Sequence, residues 1–356
     1  MTKSKQLLQG DPQKEYLRIQ NELVTGWTYA NPLPELVERM GRVRSQLDPV
    51  WLATVRTCTT PPAPIDVGRL LPNLAPLAKT TVRLNPRPGS AANDASKMGG
   101  VFLWPKDELW PHCEDHDTAY VSALQLRKED FPEVEFRPGT DLMQVLWCPN
   151  DHEPGYCPDV RVIWRRRADV ADAVEVHPRP ASHDVAYTEY VPDPCLLYPE
   201  RIVEYPGAFE KISVPLYELL GDALDVAVAL ECCRQLVTKP WSPLDDASSL
   251  YQCALSTADG TKIGGYPDWV QDPWYPKCVC GATMDYLLSF SSQEFDGATW
   301  FRWLPIEERD VLHAERAMQQ AVICAANCSF GDAGTMYVFI CRKCADWPTT
   351  AGMQCS

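Results

Sequence analysis

Apolar side chains recur at helical spacing near the start of the chain and at alternate positions farther on. Tyr16, Ile19 and Leu23 fall three and four apart behind Asp11-Pro12, a cap followed by a residue suited to a first turn, so a helix is predicted there. Leu36, Met40 and Val43 predict a second helix from Pro34 to Leu47, and residues 1 to about 55 read as helical. TTPPAPIDVGRLLPNLAP follows as a proline-rich connector. From TTVRLNP onward the period changes to two. Ala119–Leu126, PGTDLMQVLWC, DVRVIWRR, ATMDYLLSF, TWFRWLP and GTMYVFIC all read as strands. Between Ala168 and Asp259 the pattern is weaker, with one helical candidate, GDALDVAVALECCRQL. This order lacks the alternation of a βαβ fold. An α+β class is expected, mostly antiparallel β, with helices at the periphery.

One phrase occurs twice. KMGGVFLWPKDELWPHC, from Lys97 to Cys113, returns as KIGGYPDWVQDPWYPKC, from Lys262 to Cys278, and each matched residue lies 165 positions from its partner. Farther on, PGTDLMQVLWCPNDH parallels DAGTMYVFICRKC, which aligns Cys148 with Cys341 and brings His152 near Cys344. An internal duplication with a pseudo-two-fold relation is expected. Residues 1–78 would form an N-terminal helical extension and connector. Residues 79–175 would be a first repeat unit, 176–259 a connecting region and 260–356 a second unit, the two units packing as one domain.

Charge narrows the partners. With 48 acidic and 33 basic residues the formal charge is −15. Direct nucleic-acid binding is not expected, because phosphate contacts need surplus Lys and Arg. The charge suits a basic protein partner, or serves only solubility. The one basic run, Arg165-Arg166-Arg167, follows Trp164 and reads as a strand end. At 356 residues and 45% hydrophobic, the chain can build a large core without staples. MTKSKQLLQGDPQKEYL lacks the apolar stretch of a signal peptide, and no run approaches the roughly 18 apolar residues of a membrane-spanning helix. A cytoplasmic protein without membrane contact is expected. In a reducing compartment its 15 cysteines would be metal ligands, buried thiols or a nucleophile rather than disulfides.

Spacing singles out eight residues. In the second unit Cys278 and Cys280 sit in PKCVCG, and Cys341 and Cys344 in CRKC. Two close thiol pairs at strand ends suit zinc, which takes four ligands tetrahedrally with sulfur at about 2.3 Å. Cys278 and Cys280 are one residue closer than in the common C-x-x-C, and Gly281 relaxes that turn. Cys324 and Cys328 compete for the role. The first unit offers Cys113-x-x-His116 and Cys148-x-x-x-His152 at mirrored positions, with His112 and Cys157 as competitors. Zinc is expected in the second unit and is an open expectation in the first. The plainer reading is buried thiols and surface histidines.

Closed four-ligand sites brace structure, whereas catalytic zinc keeps an open position. There is no HExxH, nucleophile elbow or phosphate loop, and CRKC lacks the strand-to-helix setting of a thioredoxin-like thiol. Gly99, Gly100, Gly264 and Gly265 predict turns with positive φ. Trp104, Trp110, Trp269 and Trp274 either anchor those turns or wall a peptide-binding groove.

SKMGGVFLWPKDELWPHC, ALQL, PGTDLMQVLWC, KIGGYPDWVQD, CVCGATMDYLLSF, SSQEFDG and GDAGTMYVFICRKC, in that order, resemble the YwqG-like family, a bacterial domain of unknown function. KIGGYPDW with the following cysteines and MDYLLSF is also similar to the programmed-cell-death-protein-2 and Tsr4 family. The resemblance covers roughly Thr80 to Pro348. It implies metal ligands at Cys278, Cys280, Cys341 and Cys344 and, by internal symmetry, at Cys113, His116, Cys148 and His152. On the Tsr4 side it implies a dedicated chaperone for a basic ribosomal protein, and on the YwqG-like side an immunity protein against toxins. Both are protein-binding roles without catalysis. The expected function is therefore a non-catalytic protein-binding module. The alternative is an enzyme with Asp107, Asp272, Glu294 and Asp296 in a cleft between the two units.

Overall fold

The structure, a computed structural model, describes residues 11–153, 155–180, 185, 187–207, 210, 224–237 and 244–355. Helix α1 spans Pro12–Gly26, α2 Pro34–Arg44 and α3 Pro49–Val55. Asp11 caps α1 by accepting from the N–H of Gln13 at 3.0 Å, as a carboxylate at that position should. Tyr16, Ile19 and Leu23 of α1 meet Met40 and Val43 of α2 around Ile306, so the predicted apolar stripes do face each other. α2 stops at Arg44, short of Leu47, and Arg44 reaches Asp310 and the carbonyl of Glu307. The first ten residues of the expected extension lie outside the described ones. In the connecting region a helix covers Leu224–Arg234, within the predicted stretch.

Fourteen strands follow among the described residues: β1 Lys79–Arg83, β2 Arg87–Pro88, β3 Lys97–Met98, β4 His112–Cys113, β5 Thr118–Ala119, β6 Val121–Arg127, β7 Leu142–His152, β8 Cys157–Arg165, β9 Cys195–Leu196, β10 Glu200–Glu204, β11 Lys262–Gly264, β12 Asp285–Ser291, β13 Thr335–Ile340 and β14 Thr349–Gln354. Two six-stranded sheets run β2-β9-β3-β6-β7-β8 and β10-β1-β11-β12-β13-β14, and every pairing is antiparallel. The fold is α+β. Each sheet ends in the same four-strand path, β3-β6-β7-β8 in one and β11-β12-β13-β14 in the other.

Alternation along the strands sets two layers of side chains. Met143, Val145 and Trp147 of β7 and Met336, Val338 and Ile340 of β13 point into one shared core. Trp147 meets Phe290 of β12 edge-on at 4.8 Å, so the sheets face each other across that core. The intervening residues point outward. Leu146 and Cys148 join Trp104 on one outer face, and Tyr337, Phe339 and Cys341 join Trp269 on the other.

Two segments depart from the sequence reading. TTVRLNP, expected to open the first unit, forms β1 in the other sheet, where Val82 pairs with Ile263 of β11 and Arg201 of β10. Inside it Arg83 donates to the carbonyls of Asp259, Trp303 and Glu294, which ties β1 to that half. TWFRWLP, expected as a strand, is a helical turn at Trp300–Trp303. A turn in which Asp296 accepts from the N–H groups of Ala298 and Thr299 leads into it, and the Trp300 N–H donates to Asp296 O. That turn comes before the apolar run, which alone looks strand-like.

Candidate metal centres

Two quartets of ligand atoms converge, each within 4.8 Å throughout: Cys113, His116, Cys148 and His152, and Cys278, Cys280, Cys341 and Cys344. In the first, the Cys113 sulfur lies 3.6 Å from His116 Nδ1 and 3.6 Å from His152 Nε2, and the Cys148 sulfur 3.4 Å from His116 Nδ1. In the second, Cys278 and Cys344 sulfurs are 3.7 Å apart, as are Cys280 and Cys341. A disulfide needs sulfurs at about 2.05 Å. A tetrahedral ion bound at about 2.3 Å by sulfur and 2.0–2.1 Å by nitrogen puts ligand atoms roughly 3.3–3.8 Å apart. The pairs just named have that spacing, and both quartets can hold a metal ion. Burial and the neighbouring Cys113 push the Cys148 thiol up to about 12, and the Cys280 and Cys278 thiols with burial push Cys344 to about 12. A bound cation reverses that preference, because it favours the thiolate.

The surroundings orient the ligands. His152 turns its other nitrogen, Nδ1, to Asp115 at 3.3 Å, a carboxylate partner of the kind that fixes a ligating imidazole. Asn150 directs its amide at the Cys148 sulfur. In the second quartet the Gly281 N–H donates to Cys278 O at 2.8 Å and Gly281 has φ of +85°, so glycine closes the short Cys278–Cys280 turn. The Cys341 N–H donates to Pro348 O at 2.9 Å, which starts the return into β14. Each quartet thus ties a hairpin end to a preceding loop.

Residues 96–344 match the family described as Domain of unknown function (DUF1963). The chain belongs to this family. Both quartets fall wholly inside the DUF1963 region, whereas α1–α3, β1, β2 and β14 lie outside it. Among curated proteins, none matches the chain. No helix among the described residues is long and apolar enough to cross a membrane.

Within the DUF1963 region the repeated Gly-Gly phrases sit at equivalent turns. Gly99 and Gly264 have φ of +63° and +75°, and Gly100 and Gly265 both have +72°. A Cβ on Gly99 would press on the carbonyl oxygens of Pro192 and Asp193 at 2.9 and 2.8 Å, and one on Gly265 would overlap the Glu204 carboxylate. That carboxylate accepts from Lys262 Nζ at 2.6 Å, Ala258 N at 2.7 Å and Tyr266 N at 2.8 Å. Lys262 and Glu204 are completely buried. Lys97, at the equivalent position, donates to Ala92 O at 2.6 Å, and burial draws its ammonium down to about 8.

The tryptophans divide. Trp104 and Trp269 are buried against the cysteine-bearing faces, and Trp110 packs on Trp104 at 4.7 Å while donating to Tyr120 O. Both rings are carried by loops that pack onto the outer sheet faces; Trp104 is almost wholly covered, while Trp269 lines the cleft that also holds Asp259, Asp268 and Asp296. Only Trp274 of the four is substantially exposed, at 45%. The competing ligands lie outside the quartets. His112 faces Asp117, Cys157 pairs in register with His152, and Cys324 donates to Cys328 O.

The carboxylates expected between the units do not meet. Asp107 and Asp272 are exposed, while Glu294 is buried and accepts from Thr261 N at 3.1 Å. Asp296 lines a cleft of about 520 Å³ with Asp259 and Asp268, walled by residues between 246 and 299. Burial, then the charge of Asp268, raises the Asp259 carboxyl well above the usual range, and burial raises Asp268. Sequence reading missed both residues, since a lone Asp in a loop carries no local signal.

Proposed function

We propose that this chain is a zinc-braced, non-catalytic protein-binding module acting on a basic protein, as a chaperone-like or immunity-like holder. The observation that supports this reading most is the pair of closed quartets, Cys₂His₂ and Cys₄. Their ligand types favour zinc, and four protein ligands leave no open position for a substrate. The matching strand paths and turn glycines favour descent of the two halves from one duplicated unit. The resemblance to the YwqG-like and Tsr4 families points the same way, and the charge of −15 would steer a basic partner. Thiols serving as ligands fit a reducing, cytoplasmic setting.

The test is affinity capture from cells followed by mass spectrometry. One dominant basic protein is expected, with recovery falling as salt rises. Recovery of no partner at low salt would contradict the reading. A second reading, an enzyme, is favoured by the cleft holding Asp259, Asp268 and Asp296. If Asp259→Asn abolished a turnover found in the wild type while capture persisted, the enzyme reading would prevail.

A further inference from the structure

The outer edge of β14 lacks the charges, proline and shortness that guard the other sheet edges, although β8 of the facing sheet packs close to it. The two sheets have four edges. β10 carries Glu200, Arg201 and Glu204, β8 carries Pro158, Asp159 and Arg161, and β2 is two residues long and includes Pro88. β14 runs six residues, TTAGMQ, with neither charge nor proline. Charges, prolines and shortness are what stop an edge from pairing with another chain.

Hydrogen-bond alternation shows which groups of β14 are free. Because Cys341 N donates to Pro348 O, the residues bonded inward to β13 are Thr350, Gly352 and Gln354. The N–H and C=O groups of Thr349, Ala351 and Met353 point away from β13, and no described strand pairs with them. This edge opens into a groove of about 540 Å³ whose far wall is the start of β8 and the turn before it. Trp274 lies over Gly352, where any Cβ would collide with its ring. The fully charged side chains lining the groove are Glu153 and Asp159, with no Lys or Arg. His152 of the first quartet lines it too, and the Cys341–Cys344 turn leads into β14, so both candidate metal centres flank it.

We infer that the β14 edge is a strand-addition site for an extended basic segment of a partner protein. The segment pairs with the backbone of Thr349, Ala351 and Met353. Its Lys or Arg side chains reach Glu153, Asp159 and the face of Trp274. A second copy of this chain is disfavoured, because two acidic rims would meet. The inference rests on the protein-binding reading and names the surface that reading uses.

The experiment titrates the full chain by fluorescence anisotropy with a labelled ten-residue peptide alternating Lys and Val, and with a matched Glu and Val peptide. Ala351→Pro removes an outward N–H and leaves every bond to β13. Glu153→Lys is a second variant, on an exposed side chain. The Lys-Val peptide should bind, the Glu-Val peptide should not, and each variant should weaken binding at least about tenfold with metal content unchanged. Hydrogen exchange should slow across residues 349–354 on binding. Equal affinity for wild type and a folded Ala351→Pro, or no binding of the Lys-Val peptide, overturns the proposal. So does a wild-type dimer that Ala351→Pro splits. Capture of a basic protein from extract is run in parallel. If both proteins capture it equally, the edge proposal fails and the protein-binding reading stands; if wild type captures nothing, the reading itself fails.

Discussion

Gly265 shows how one residue ties a turn to a buried charge. Its φ of +72° is strained for any other residue, and a Cβ there would also displace Glu204. Gly265→Ala should cost more than the roughly 1–3 kcal/mol of a strained backbone. Gly281→Ala, at φ +85° with nothing within 4 Å, should stay inside that range. Chemical denaturation of both variants compares them directly, and equal losses would remove Glu204 from the explanation. His177 makes a second test at this scale. It is buried against Phe102 and Trp110, and burial lowers its imidazole to about 4. The unfolded chain therefore takes up that proton first. Stability should fall as pH drops from about 6.5 to about 4, and His177→Gln should flatten the decline in melting temperature over that window. Identical acid slopes would contradict this. Residue-scale chemistry was legible where it was local. CRKC and the paired glycines announce ligands and turns by spacing alone. Which surface covers Trp104 or Trp269 depends on how their loops pack on β7 and β13, far away in sequence, and spacing does not carry that.

β3, β6 and β7 hold the places in one sheet that β11, β12 and β13 hold in the other, and each path ends in an edge strand. The sheet that β1 joins is not legible locally, because a short β-branched run fits either one and its partners, β10 and β11, lie more than a hundred residues on. The Trp300–Trp303 turn is illegible for a related reason: the Asp296 turn that leads into it precedes the run that reads as a strand. Beneath β11, Lys262 and Glu204 form a closed ion pair with two further N–H donors on the carboxylate. Lys262→Met strands that charge and should cost about 3–5 kcal/mol by equilibrium unfolding. A loss under about 1 kcal/mol would mean that water reaches Glu204.

The molecule as a whole places its apolar mass between two sheets and its ligand-bearing loops on the outer faces. The quartets join the hairpin ends without entering the main core, so an ion held in each would fix the chain just before β8 and just before β14. The overall negative charge and the α+β class were readable from composition and strand order. The cleft of Asp259 and Asp268 and the open edge of β14 were not, because both arise only once distant segments pack. The most direct test is the metal content of the purified chain by elemental analysis, together with X-ray absorption at the zinc edge. Two zinc ions per chain are predicted, with mixed sulfur and nitrogen coordination that becomes half sulfur, half nitrogen when Cys341→Ser removes the second ion. Protein purified without chelators that carries no zinc, or that keeps both ions after Cys341→Ser, would contradict the account.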